Sequence, residues 1–189
     1  MPIHYLSILR ALLLILGIGV AVRVDAAAPK VLTFDVVGAE CPACFYSVAD
    51  ALRQVKGVQE IEDANGLGNR ARIRFDPALA TAHELAHAVW RAFPLHGKPY
   101  QAVLRLRVPA YSLGDNAAAV DGVLAAWKQW METEVIDRKT GEIALRFRPL
   151  TKAERKASRP GWSLEGNLTA LTAPPPKGLG LTVGWMGKD

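Results

Sequence analysis

An internal repeat constrains the fold of this chain more than any other feature of its sequence. The segment RIRFDP at residues 72–77 returns 72 residues later as ALRFRP at residues 144–149. Apolar positions upstream follow the same offset without a gap, in the pairs Leu32/Leu104, Phe34/Leu106, Val36/Val108, Val48/Val120, Ala51/Val123, Leu52/Leu124 and Val55/Trp127. Agreement over three successive elements indicates a duplicated structural unit in this chain of 189 residues.

The first copy has the periodicity of a β-α-β-β-α unit. Alternating apolar residues predict a first strand over Val31–Val37, and a helical spacing of apolar residues predicts a helix that ends at Gly57. Strands are predicted next over Val58–Ala64 and Arg70–Phe75, and Pro77 is predicted to open a second helix. This copy lacks only the final strand of a βαββαβ unit.

The junction between the copies leaves two arrangements open. Only Tyr100–Val108 lies between the halves, whereas the first half needs a last strand and the second half needs a first one. Either the first half ends in a very short strand near residues 96–101, or one long strand serves both sheets.

The copies diverge after residue 149. The segment TKAERK at 151–156 can start a helix, and Leu164, Leu168 and Leu171 then resume a helical spacing. Residues 179–185 alternate in polarity and predict a final strand.

The first 28 residues have the layout of an export signal. Arg10 supplies a basic start, residues 11–22 form an apolar run, and small residues allow cleavage after Ala26 or Ala27. The apolar run is short for a membrane span, which needs about 20 residues. An uncleaved membrane anchor is the alternative, and either form would place the rest of the chain in the periplasm.

The charge of the chain argues against a nucleic-acid partner. The formal net charge is +5, and basic residues are densest at residues 151–159. That segment lacks the interleaved aromatic residues of a nucleic-acid-binding surface, and a solvated helix face explains it.

Both cysteines of the chain lie in GAECPACFYSV, three residues apart at Cys41 and Cys44. A C-x-x-C pair at the start of a helix places both sulfurs near unpaired N–H groups and the positive end of the helix dipole, which favours thiolates. Thiolates bind soft metals, exchange with disulfides, or close a disulfide that pins a loop, and all three uses are open at this point. Two thiolates alone suit linear Cu(I) or Hg(II), whereas Zn(II) requires two further ligands.

The segment GAECPACFYSVADALRQVKGV resembles the metal loop and first helix of heavy-metal-associated domains, the family of periplasmic mercury-binding proteins and copper chaperones. Twelve residues separate Cys44 from Gly57, as in that family, and RIRFDPALATAHELAHAVWRAF resembles the later strand and helix. The resemblance covers residues 31–93. It implies a ferredoxin-like fold, a soft metal held by Cys41 and Cys44, and a metal donor or acceptor protein as partner, such as a membrane metal transporter.

The segment HELAH matches the zinc-protease signature H-E-x-x-H, with His83 and His87 as ligands and Glu84 as general base. The helical register places both histidines opposite the inward residues Leu85 and Val89, on an exposed helix face. A protease would bury this motif in a cleft with a third ligand, so the sequence favours at most adventitious zinc here.

His96 is expected to lie near the cysteines. In a βαββαβ fold the loop after the second helix lies at the same end as the loop after the first strand. A third metal ligand or an exposed loop histidine are both compatible with this position.

The sequence therefore predicts an α+β protein made of a duplicated ferredoxin-like βαββαβ unit. The predicted divisions are an export signal at 1–28, a heavy-metal-associated domain at 29–100 and a degenerate repeat without metal ligands at 101–189. The predicted role is non-enzymatic binding of Cu(I) or Hg(II), with Zn(II) less favoured, for sequestration or transfer. The alternative is a thiol–disulfide redox protein that uses the same two cysteines, and Cys-Pro-x-Cys also resembles glutaredoxin-type sites.

Overall fold

A computed structural model of the protein describes residues 28–62, 69–156 and 163–186. Seven strands and five helices lie within these ranges. The strands are β1 (Lys30–Val37), β2 (Val58–Glu62), β3 (Arg70–Phe75), β4 (Gln101–Arg107), β5 (Met131–Asp137), β6 (Glu142–Phe147) and β7 (Gly184–Trp185). The helices are α1 (Pro42–Arg53), α2 (Ala82–Arg91), α3 (Asn116–Ala126), α4 (Lys152–Lys156) and α5 (Leu164–Thr172), and a short 3₁₀ turn, Trp127–Gln129, follows α3.

All seven strands belong to one antiparallel sheet in the order β2-β3-β1-β4-β6-β5, with β7 paired to β4. The first half of the chain thus contributes a ferredoxin-like βαββαβ unit whose strand order is β2-β3-β1-β4. The second half repeats the arrangement with β4, β6 and β5, and the fold is the duplicated α+β architecture that the sequence predicted.

Strand β4 serves both halves, which answers the question that the sequence left open at the junction. One edge of β4 pairs with β6 through residues 103–107. The other edge pairs with β1 through residues 101–103 and with β7 through Leu106 and Arg107. Arg105 reinforces the shared strand, because its Nε donates to Asp35 on β1 at 2.5 Å and its Nη1 donates to Glu142 on β6 at 2.9 Å.

The 72-residue offset of the sequence is preserved in the structure. Strand β3 begins at Arg70 and ends at Phe75, and β6 begins and ends 72 residues later. Trp127, which takes the place of Val55 in the repeat, is buried in the core as a packing residue. The buried side chains of both halves form a single hydrophobic cluster, so the two copies share one core.

Three predicted element boundaries were wrong. Helix α1 ends at Arg53 rather than at Gly57, which lies in the turn before β2. Pro77 does not open the second helix, because the Asp76 carbonyl accepts from Leu79 and Ala80 N–H groups and closes a separate turn. The helix begins instead at Ala82, where Thr81 and Glu84 form a reciprocal capping box. The final strand is also shorter than predicted, since only its last two residues, those of β7, pair with the sheet.

The predicted export signal falls largely on residues 1–27, which lie outside the described part of the chain. Within residues 28–62, 69–156 and 163–186, no helix combines the length and the apolar character needed to cross a bilayer.

Candidate metal site

The sheet topology brings two loops together at one end of the first half. Strand β1 ends at Val37, and its partner in the antiparallel register is Gln101, the first residue of β4. The loop that follows β1 and the loop that precedes β4 therefore meet at the same end of the sheet. The first loop carries Cys41, and the second carries His96 and Tyr100.

Cys41 is the N-cap of helix α1. Its backbone is extended, and Pro42 takes the first helical position, where a missing N–H costs nothing. The Cys41 sulfur accepts a hydrogen bond from the backbone N–H of Cys44 at 3.2 Å. The helix start thus turns both sulfurs toward unpaired N–H groups, as the C-x-x-C spacing predicted.

The two cysteines differ in exposure. Cys44 is fully buried, whereas Cys41 is partly exposed, and both are free thiols. Tyr100 is also fully buried, and its ring lies beside the loop, 3.7 Å from where a side chain on Gly38 would begin. Gly38 has a φ of +88°, a conformation that suits glycine in this tight turn.

The surroundings of the two cysteines shift the pKa values of their thiols in opposite directions. Burial raises the pKa of Cys44, but hydrogen bonds from the Cys41 thiol, the Tyr100 hydroxyl and backbone N–H groups outweigh it and lower the pKa to about 7. The pKa of Cys41 is raised, first by its hydrogen bond to Cys44 and then by burial. Cys44 is therefore the more acidic of the two thiols, and Cys41 is the more accessible one.

The structure places His96 beside both cysteines, as the fold argument anticipated. Ligand atoms of Cys41, Cys44 and His96 all lie within 4.8 Å of one another. Two thiolates that bind one ion in a line at about 2.3 Å each are about 4.6 Å apart, and bent geometries bring them closer. The donor set therefore fits a single soft metal ion without a large rearrangement.

His96 is held in place by the loop around it. The Ser47 hydroxyl on α1 donates to the carbonyl of Phe93 at 2.9 Å, and the backbone N–H of Leu95 donates to the Tyr100 hydroxyl at 3.1 Å. Gly97, with a φ of +78°, turns the chain directly after the histidine. The imidazole itself is exposed at the mouth of the site.

The expectation that His83 and His87 lie on an exposed helix face was wrong. Both are buried, because α2 packs against β4, β6 and the segment after β6. His83 Nε2 lies 2.5 Å from the carbonyl oxygen of Arg148, and His87 Nδ1 accepts from the backbone N–H of Leu150 at 3.1 Å.

The HELAH motif therefore joins the two halves of the protein. The described ranges contain one group of three or more His, Cys, Asp or Glu side chains close enough to share an ion, and it is formed by Cys41, Cys44 and His96. Neither a protease centre nor an exposed pair of zinc-binding histidines is present at His83 and His87.

Tyr100 is the functional residue that the sequence reasoning missed. Tyr100 belongs to the same loop between α2 and β4 as His96, so the topology that places His96 near the cysteines places Tyr100 there too. In the sequence, Tyr100 is only the first residue of the segment between the halves. In the structure, its hydroxyl accepts from the Leu95 N–H and bonds to Cys44.

No protein-family model and no curated relative matches the chain. Among solved structures, it is similar to oxidized MerP from Ralstonia metallidurans CH34, with 29% identity and a TM-score of 0.34 over 40% of this chain and 97% of MerP. It is also similar to the N-terminal soluble domains of Bacillus subtilis CopA, with 13% identity and a TM-score of 0.35 over 85% of this chain and 95% of that one. A second structure of the water-soluble region of this P-type ATPase gives 15% identity and a TM-score of 0.36, over 84% and 92% of the two chains.

Proposed function

We propose that this protein binds one soft metal ion, Cu(I) or Hg(II), through the thiolates of Cys41 and Cys44, and that it sequesters the ion or passes it to a partner without an enzymatic step. The observation that carries the proposal is the convergence of two free sulfurs at the start of α1, with hydrogen bonds that lower the pKa of Cys44 to about 7. Metal binding requires thiolates, and this arrangement supplies the first one near neutral pH.

Transfer to a partner is part of the proposal because the site is open on one side. Cys41 is partly exposed. Two large aromatic side chains, Tyr46 on α1 and Phe93 in the loop after α2, are 57% and 72% exposed. A partner with its own thiolates can dock over such a surface and displace the protein's sulfurs one at a time. The partner would be a metal donor or acceptor, such as a membrane metal transporter, and the protein would act in the periplasm after export.

A thiol–disulfide redox role is the second candidate, and the exposure of the two thiols argues against it. Disulfide exchange begins with attack by an accessible thiolate of low pKa. Here the lower pKa belongs to Cys44, which is fully buried, whereas the accessible Cys41 has a raised pKa. A protein disulfide would therefore meet Cys41, the less acidic of the two thiols, first.

The deciding experiment is an anaerobic titration of the reduced protein with Cu(I) and with Hg(II), each in competition with a high-affinity chelator. We expect one ion per chain in the wild type, and loss of tight binding in Cys41→Ser, Cys44→Ser and the double variant. Circular dichroism should show that these variants keep the fold. Wild-type affinity in the double variant would refute the site, and sustained turnover in a disulfide-reduction assay would favour the redox role.

A further inference from the structure

We propose that the imidazole of His96 is a third ligand of the bound ion, which makes the site a two-sulfur, one-nitrogen centre suited to Cu(I). This inference rests on the proposed function. The juxtaposition that carries it is the approach of one His96 ring nitrogen to within 4.8 Å of both cysteine sulfurs.

The distances suit a three-coordinate ion. Bonds of about 2.3 Å to sulfur and about 2.0 Å to nitrogen, arranged in a trigonal plane, separate the sulfurs by about 4.0 Å and each sulfur from the nitrogen by about 3.7 Å. The three ligand atoms already lie within 4.8 Å of one another, so each pair needs a closure of about 1 Å at most. Rotation of the exposed histidine side chain can close the two sulfur–nitrogen distances, and rotation of the partly exposed Cys41 side chain can close the sulfur–sulfur distance.

The loop that carries His96 is anchored just before the histidine. Ser47 holds the carbonyl of Phe93, which is near the start of the loop, and Tyr100 holds the N–H of Leu95. The Tyr100 hydroxyl also bonds to Cys44, so a single buried side chain fixes the histidine's neighbour and one of the two sulfurs. This shared support keeps the backbone that carries His96 next to the sulfurs, and the exposed side chain is left to complete the approach.

The donor set discriminates among soft ions. Thiolates favour Cu(I), and imidazole nitrogen is a good ligand for copper as well. An Hg(II) ion, which is satisfied by two thiolates in a line, gains little from the histidine. Zn(II) prefers four ligands, and the cluster of close donors within the described residues supplies three, so water would have to complete its coordination.

The test compares the wild type with His96→Ala and with the matched control Lys98→Ala, which removes an exposed side chain from the same loop. Each reduced protein is loaded with one equivalent of Cu(I), and X-ray absorption gives the number and type of scattering atoms around copper. A competing chelator gives the affinities for Cu(I) and, separately, for Hg(II). We expect two sulfurs and one nitrogen in the wild type and in Lys98→Ala, and two sulfurs alone in His96→Ala. Cu(I) affinity should fall about tenfold or more in His96→Ala while Hg(II) affinity stays within about twofold, a difference of about 1.4 kcal/mol for each factor of ten.

Each outcome separates this inference from the function on which it rests. Two sulfurs without nitrogen in the wild type, or equal Cu(I) affinity in wild type and His96→Ala, would overturn the third ligand and leave the cysteine site intact. Failure of the wild type to bind either ion would overturn both. The absorption measurement on the wild type decides the question even if the variant proves unstable.

Discussion

Protonation or removal of His87 should weaken the docking of α2 onto the second half of the protein. The His87 Nδ1 atom accepts the backbone N–H of Leu150 at 3.1 Å, in a buried position where water cannot replace it. Burial lowers the pKa of His87, and the nearby charges of Arg155, Arg91 and His83 lower it further. Protonation would turn Nδ1 into a donor that faces another donor, so the folded protein favours the neutral ring.

The direction of the pH effect follows from this lowered pKa. The unfolded chain binds a proton at His87 near its ordinary pKa of about 6.5, whereas the folded chain binds it only at lower pH. The free energy of unfolding therefore keeps its full value above about pH 6.5 and falls as the pH drops below that value, until the folded pKa has been passed. His83, whose pKa is also lowered by burial, acts in the same direction.

Two substitutions separate the hydrogen bond from the titration. His87→Leu leaves the Leu150 N–H buried without an acceptor, which should lower the free energy of unfolding by roughly 1–3 kcal/mol at pH 7.5. His87→Asn keeps an oxygen acceptor at the position of Nδ1 and removes the titrating group, so it should retain most of that stability. Between pH 7.5 and pH 5, the stability of the wild type should fall more steeply than that of His87→Asn, whose remaining slope belongs to His83 and the other groups.

Urea unfolding followed by tryptophan fluorescence at both pH values measures these quantities, with unchanged m-values as the check on the denatured state. Equal stability of His87→Leu and His87→Asn at pH 7.5 would show that the bond from the Leu150 N–H does not stabilise the docking of α2. An equal loss of stability in all three proteins between pH 7.5 and pH 5 would show that His87 does not titrate with unfolding.

Three further predictions concern the site and the shared strand. Tyr100→Phe removes a hydroxyl that bonds to Cys44, so the pKa of this thiol should rise from about 7. Thiolate absorbance as a function of pH measures this pKa, and an unchanged value would contradict the role of Tyr100. Leu106→Ala in the core of β4 should lower the free energy of unfolding by about 2–5 kcal/mol in one thermal transition, whereas two separate transitions would show that the halves unfold independently. Gly141→Ala should lower the free energy of unfolding by more than about 1 kcal/mol, because Gly141 has a φ of +72° and an added Cβ would overlap the Val108 carbonyl. The control Gly122→Ala, in an open part of α3, should raise the free energy of unfolding by about 0.5–1 kcal/mol, and urea unfolding measures both changes.

The parts of the fold that the sequence predicted well are those fixed by local pattern. Strand β3 was predicted from residue 70 to residue 75, as observed, because alternation and flanking turn residues bound it on both sides. The repeat was visible for the same reason, since each copy buries the same face of each element. Strand β7 was overestimated, because alternation reports a half-buried segment and does not show whether a neighbouring strand is available to pair with it.

The parts that the sequence could not predict depend on contacts between the halves. Histidines at a helical spacing indicate a polar face when only one side of the helix is assumed to be buried. Helix α2 also contacts the segment after β6, where backbone groups of Arg148 and Leu150 each meet one imidazole nitrogen, and a one-dimensional pattern does not contain that contact. The pairing of β4 with strands of both halves likewise depends on contacts between the halves.

The shared strand gives the second half a role in the proposed metal site even though that half has no cysteine or histidine. Tyr100 lies directly before β4, and its side chain supports both Cys44 and the loop that holds His96. A slip of β4 by one residue would turn alternate side chains to the opposite face of the sheet and move this support away from the cysteines. Pairing with β1 covers only residues 101–103, whereas pairing with β6 covers residues 103–107. The longer of the two pairings therefore belongs to the second half, so the cysteine-free copy helps to hold the strand on which the geometry of the site depends.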